Sequence, residues 1–477
     1  MKMVKSLILG SAAGLVAMTG AQAADLPVKA KAVEYVKVCS LYGAGFYYIP
    51  GTDTCIKLGG YLRADTTFNG GGAYNMPAWS GGAAYGTRDR SFFLARSRLD
   101  FNIDTRTATE YGVVRTFADV TFNWTSGDGV AGGSLGVYYA FVQFAGFTIG
   151  KAVSQFDTPW TGYPGNNTSF LIGGYDDVTG INQLAYTAQF GNGIQASISV
   201  EDPTSYTRNN LANAVTTLGV NNVYGGFVAP DIVGHVRIDQ AWGLFQVSAA
   251  AHNIHSLYYG ATELTGHPSD KWGFAVQGAL SLKNLPTGPG DSINITGTYA
   301  QGASRYVFGG VSGSGSYFMF GSSGAPGAYQ SLAFGNAVDG VYGVGTGIET
   351  ITTYGVRGAF NHNFDPYWSA SLFGSWAKAE YSSNAKALYC GAYAGIAAGQ
   401  GVSYTCNPDF QIAQLGGVLR WTPVKGLAFS GEVMYTWLDT GFSGTATLSP
   451  GGFKPTATYE FKDQGTLSGI LRVNRVF

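Results

Sequence analysis

The chemistry this sequence can offer rests on five arginines and three aspartates. Arg63, Arg96, Arg98 and Arg115 lie in the first three of a series of alternating segments, and Arg472 lies in the last. Each sits on the polar parity of its segment. Asp157, Asp176 and Asp177 fall in the connection 154–180, which contains no lysine or arginine. Guanidiniums on one side of a narrow aqueous passage and carboxylates on the other would set a transverse field that sorts ions and dipolar solutes by charge and size. The blander alternative is that each arginine only pairs with a neighbouring acid, such as Asp65, Asp100, Asp104 or Asp119, and stiffens a wall. The sequence leaves both open.

Other signals are weaker. Cys39 and Cys55 are close in sequence, as are Cys390 and Cys406. An even number of cysteines in two local pairs, in an exported chain, predicts two disulfides. Four cysteines allow three connectivities, and the local one is the choice here. No C-x-x-C spacing is present and no histidine sits beside them, which argues against a metal site. Gly132 to Gly136 matches G-x-S-x-G, but a nucleophile elbow needs a strand before it and a helix after it. Here a loop precedes and an alternating segment follows. His252 and His255 are three apart, which on a strand points them to opposite faces. Asn123, Asn166 and Asn294 head Asn-x-Thr triplets, which matter only in a eukaryotic secretory route. No enzyme activity, cofactor or metal is expected.

The elements that must position these residues are strands. From about residue 56 to Phe477 the chain repeats a segment of roughly ten residues that alternates apolar with polar. In 183–201, Leu184, Tyr186, Phe190, Ile194, Ile198 and Val200 form one face, and Gln183, Thr187, Gln195, Ser197, Ser199 and Glu201 the other. Gly191-Asn192-Gly193 supplies the turn between the two strands. The same reading places strands at 56–69, 92–105, 111–124, 138–144, 147–152, 232–240, 244–253, 272–282, 292–301, 352–362, 368–377, 411–421, 427–438 and 465–477, about sixteen in all. Connections are alternately short and long. An even-numbered antiparallel barrel with short periplasmic turns, long external loops, lipid outside and water inside fits that rhythm. A Greek-key sandwich does not. Tryptophans and tyrosines near strand ends (Trp124, Tyr138, Trp242, Trp272, Trp368, Trp421, Trp437) fit interfacial girdles.

Composition agrees. Of 477 residues only 12 % are charged, about half the usual share, while 14 % are aromatic and 71 are glycine. Mean hydropathy is near zero, as expected when lipid-facing and water-facing residues alternate. Lys2 and Lys5, an apolar run and Ala21-Gln22-Ala23 predict a signal peptide over 1–23. Its removal takes the formal net charge from −1 to −3, which excludes a basic nucleic-acid binder. Residues 24–55 are expected to form a periplasmic or lumen-associated segment, and 56–477 the transmembrane barrel. Outer-membrane lipid and lipopolysaccharide are then its surroundings.

Three stretches carry a family likeness. Val33 to Cys39, Gly45 to Cys55 with Gly59-Gly60-Tyr61, and Tyr139 to Phe147 with Leu184-Ala185-Tyr186 resemble the general porins of alphaproteobacteria of the rhizobial and Brucella group, as does the ending Arg472 to Phe477. The resemblance covers essentially the whole mature chain. It implies a sixteen-stranded homotrimeric outer-membrane pore for ions and small hydrophilic solutes, with the third external loop folded into the lumen. In that setting the aspartates of 154–180 would face the arginines across a constriction. A substrate-specific channel for sugars or anions on a similar barrel is the alternative. Tyr61, Phe92 and Tyr139 are candidates for an aromatic ladder, but form no clear track by parity.

Overall fold

Alternating strands in lipid must satisfy every backbone N–H and C=O by pairing, and only a closed sheet leaves no edge. The computed structural model describes residues 37–70, 86–160, 171–175, 180–204, 209–215, 223–309, 315–396 and 403–477. The predicted signal peptide and the following segment up to residue 36 lie outside the described residues, as do Asp176 and Asp177.

Among the described residues sixteen strands form the barrel. They are β1 (Thr54–Phe68), β2 (Phe93–Thr109), β3 (Gly112–Thr125), β4 (Ser134–Phe144), β5 (Phe147–Ala152), β6 (Ile181–Gly191), β7 (Ile194–Glu201) and β8 (Asp231–Gln240). The second half comprises β9 (Gly243–Ile254), β10 (Lys271–Lys283), β11 (Ser292–Gln301), β12 (Thr352–Asn363), β13 (Trp368–Glu380), β14 (Phe410–Val424), β15 (Leu427–Thr440) and β16 (Gln464–Val476). Each pairs antiparallel with the next. The last pairs with the first, placing Asp65 opposite Arg472 and Arg63 opposite Asn474. The expected strand number and order hold, and most ends move by only one to three residues.

The predicted faces hold on the clearest hairpin. Leu184, Tyr186, Ile198 and Val200 are exposed, while Gln183, Ser197, Ser199 and Glu201 are buried on the inner side. Its turn uses Asn192 and Gly193, both at positive φ (49° and 72°), the backbone a two-residue hairpin with native twist requires. Trp124, Trp242, Trp272, Trp368, Trp421 and Trp437 are all exposed on the outer surface. Tyr138 is not a girdle residue. A bulge between β3 and β4 pairs Asp119 with Tyr139 but Val120 with Val137, and the extra residue turns inward.

The external loops are not featureless. Residues Ser316–Gly321, Gln330–Asn336, Ala457–Phe461, Ser443–Leu448 and Ser403–Thr405 form a five-stranded sheet. Residues Asn210–Asn213, Val338–Tyr342 and Glu349–Thr350 form another of three strands. The helix α1 (Ser383–Ile396) packs against the three-stranded sheet. Both predicted disulfides are present, Cys39–Cys55 and Cys390–Cys406, with Cα separations of 6.0 and 5.8 Å.

These loops bring an apolar core into the barrel. Phe156, Tyr175, Tyr306, Phe308, Tyr317 and Phe410 pack together there, against wall alanines such as Ala250, Ala275, Ala300 and Ala377. Small side chains on the inner wall make room for large ones on the loops, as close packing requires. Part of the inner face expected to be wet is therefore dry.

The seat of the loops is polar and fully enclosed. His252 Nδ1 meets Asp231 at 2.7 Å, and Tyr306 donates its hydroxyl to the same carboxylate at 2.7 Å. Asp339, on the loop sheet, accepts from Tyr224 and from the Ser304 amide, both at 2.7 Å. Burial pushes the Asp339 carboxyl above its ordinary range, while His252 and these donors pull the other way.

Candidate functional site: the channel wall

The connection from β5 to β6 crosses the interior. Gln155 accepts from His235 on β8 through its carbonyl (2.7 Å), and Asp157 accepts from Gln246 on β9 in the same way (2.7 Å). Further on, the Ile172 amide donates to Gln414 of β14 (2.9 Å). Leu171, with Trp160 beside it, packs on Phe373, Val418 and Met434, which face inward from β13, β14 and β15. Gly173 (φ +91°) lies directly on β12, where a side chain on Gly355 would collide with the Gly173 backbone and one on Gly173 with the carbonyls of Val356 and Trp376. The described parts of the third external loop thus lie inside the barrel, along the wall from β7 to β15.

Arg357 of β12 fixes this arrangement. It is 1 % exposed and donates to the carbonyls of Leu171 (3.3 Å), Gly174 (3.4 Å) and Tyr175. It also stands 3.9 Å from Asp157. Arg357 was not singled out from sequence. The available signal was an arginine on the inner parity of a strand otherwise made of small and aromatic residues, Tyr354-Gly355-Val356-Arg357-Gly358-Ala359.

Opposite that wall stand β16 and β1 to β4, and here lie the five predicted arginines. Register places Arg63 opposite Arg98, and Asp65 opposite both Arg96 and Arg472. Asp65 is buried and bridges Arg96 to Arg472, with the Arg472 Nε at 2.5 Å. Arg63 donates to Asn474 (3.0 Å), and Arg98 to Asn123 (2.6 Å). Arg115 sits lower, sharing Asp104 with Arg106 at 3.0 and 2.9 Å. The pairing alternative is realised at two acids, because Asp65 and Asp104 each hold two arginines. Cations still outnumber acids. Lys57, Arg63, Arg96, Arg98, Arg106, Arg115 and Arg472 share the inner face with Asp65, Asp100, Asp104 and Asp119.

Of the predicted acids, Asp157 is buried among the loop's anchoring contacts near Arg357, away from the arginine wall. Asp176 and Asp177 lie outside the described residues. Of the aromatic rings on this wall, Tyr61 and Tyr139 were singled out from sequence, whereas Phe117, Phe141 and the inward facing of Tyr138 were not. Phe117, Tyr139 and Phe141 face inward in contact (Phe117 to Phe141 5.5 Å, Phe117 to Tyr139 6.3 Å), and the Arg98 guanidinium lies over the Tyr138 ring at 5.1 Å. Tyr139 shares its facing with Phe141 by simple alternation, and the bulge adds Tyr138 beside it, which alternation cannot reveal.

Comparison with known proteins agrees with this architecture. A family model described as "Porin subfamily" matches residues 25–470. Porin Omp2b of Brucella abortus (strain 2308) is 32 % identical over 296 residues, covering 59 % of this chain and 75 % of that protein. Its counterpart in Brucella suis biovar 1 is 33 % identical over the same length. Among solved structures, the outer membrane channel DcaP of Acinetobacter baumannii superposes with a TM-score of 0.61 over 90 % of this chain and 99 % of its own, at 16 % identity. That likeness bears on the fold alone. With a closed sixteen-stranded barrel, an internal third loop and a family match across nearly its whole length, this chain belongs to the porin subfamily, as a channel of the outer membrane rather than an enzyme.

Proposed function

We propose that the channel carries ions and small hydrophilic solutes by passive diffusion through a charged constriction bounded on one side by Arg63, Arg96, Arg98 and Arg472. Arg115 guards the periplasmic approach. The observation that carries this reading is the division of the interior. The third loop and the loop core lean on β7 to β15, which leaves the arginine-bearing wall as the polar flank of the passage. Fixed charges at such a passage filter by charge and size. Asp176 and Asp177 supply the opposing charge in this reading, and Asp157 helps hold the loop. The protein works as a homotrimer in lipid and lipopolysaccharide, as the family resemblance implies.

Recordings in planar bilayers test it. Purified protein should give linear, ohmic steps in potassium chloride that sugars block weakly. Absence of conductance would remove the channel reading. Exchanging Asp176→Asn together with Asp177→Asn should weaken cation preference. An unchanged reversal potential in a salt gradient would take those two residues out of the constriction.

A further inference from the structure

The periplasmic half of the arginine wall combines two features that a simple aqueous sieve does not need. The first is aromatic. Phe117 and Phe141, opposite each other in register, present their rings to the lumen, with Tyr139 one step above. Phenylalanine on the wet face of a barrel strand forgoes hydration and adds no charge, so plain conduction gives it no reason to be there. The second is cationic. The Arg115 guanidinium lies over both rings, 5.0 Å from Phe117 and 5.5 Å from Phe141, and keeps 28 % of its side chain exposed. Arg106 stands beside it and is 30 % exposed. These two arginines share a single carboxylate, Asp104, and Lys57 stands opposite it in register. The cluster thus has positive charge to spare. Higher on the same wall, Arg63 stacks on Tyr61 at 4.1 Å.

A guanidinium over a ring offers donors at its edge, and the rings beside it offer faces. The solute that satisfies both is a flat ring bearing a carboxylate. Its charge meets Arg115 and Arg106 while its face meets Phe117 or Phe141. We propose that this wall is a binding track for small aromatic carboxylates, which pass along it toward the periplasm. The idea rests on the channel reading above and sharpens it to a substrate class.

The test uses the full-length protein in planar bilayers, with conductance in potassium chloride recorded first. Benzoate should then reduce the chloride current in a saturable way, at concentrations ~5-fold or more below those at which acetate or cyclohexanecarboxylate acts. Exchanging Phe117→Ala with Phe141→Ala should weaken the benzoate block by a similar factor, each block being scaled to that channel's own chloride conductance. Equal action of benzoate and cyclohexanecarboxylate would overturn the track, since size and charge alone would then explain the block. So would a double variant that binds benzoate as well as the parent, or a block that never saturates. No conductance in potassium chloride at all would instead sink the channel reading, and this one with it.

Discussion

Asp65 is the residue on which the arginine wall depends. It is enclosed, and both Arg96 and Arg472 direct guanidinium nitrogens at it. Asp65→Asn keeps the shape and removes the charge, leaving two closely spaced cations without their counterion. Breaking a buried pair in this way costs about 3–5 kcal/mol. The variant should unfold at lower temperature in detergent, followed by circular dichroism. Where it folds, its reversal potential in a potassium chloride gradient should move toward anion preference. Much at this scale was legible in the sequence. A charge facing lipid at mid-depth is costly, so parity alone put Arg63, Arg96, Arg98, Arg115 and Arg472 inside. Parity could not say which acid each would meet, nor that Asp65 would serve two arginines, because that depends on register between strands far apart in sequence. Tyr138 shows the other limit. One inserted residue reverses the facing of its neighbours and leaves no mark in composition.

Among the elements, the third loop depends on bare backbone. Gly173 and Gly355 lie so close that a Cβ on Gly355 would stand 2.7 Å from the Gly173 Cα. Gly355→Ala should lift the loop from β12, at about 1–3 kcal/mol for an overpacked contact. The expected readout is an altered and noisier single-channel conductance from a barrel that still forms. The Cys390–Cys406 bridge holds α1 to the loop sheet across 16 residues. Closing a loop of that size is worth about 3 kcal/mol. Cys390→Ala with Cys406→Ala should therefore make the stretch 383–409 cleave faster in limited proteolysis, with the barrel strands still protected. The sequence read these loops only as long connections and saw nothing within them. The reason is that their strands pair with distant partners, Asn210–Asn213 with Val338–Tyr342 and Gln330–Asn336 with Ala457–Phe461. Local alternation records which face a strand buries, not whom it pairs with.

At the scale of the whole molecule, closure decides everything. β16 pairs with both β15 and β1, and the Phe477 amide donates to the Gly60 carbonyl at 3.1 Å. Removing 464–477 would expose two strand edges to hydrocarbon, where each unpaired backbone group costs several kcal/mol. Such a chain should fail to give the compact, heat-modifiable band of a folded barrel on an unheated gel. The outer end follows different rules. Its five-stranded sheet turns Tyr317, Met319, Leu332 and Phe461 into the loop core, and its main-chain pairing is indifferent to which side chains point to the surroundings. The face that antibodies or phage would meet is thereby uncoupled from the arginine wall deep in the barrel. Selection by the immune system or by predators should be able to repaint the exterior of this channel while leaving its traffic untouched.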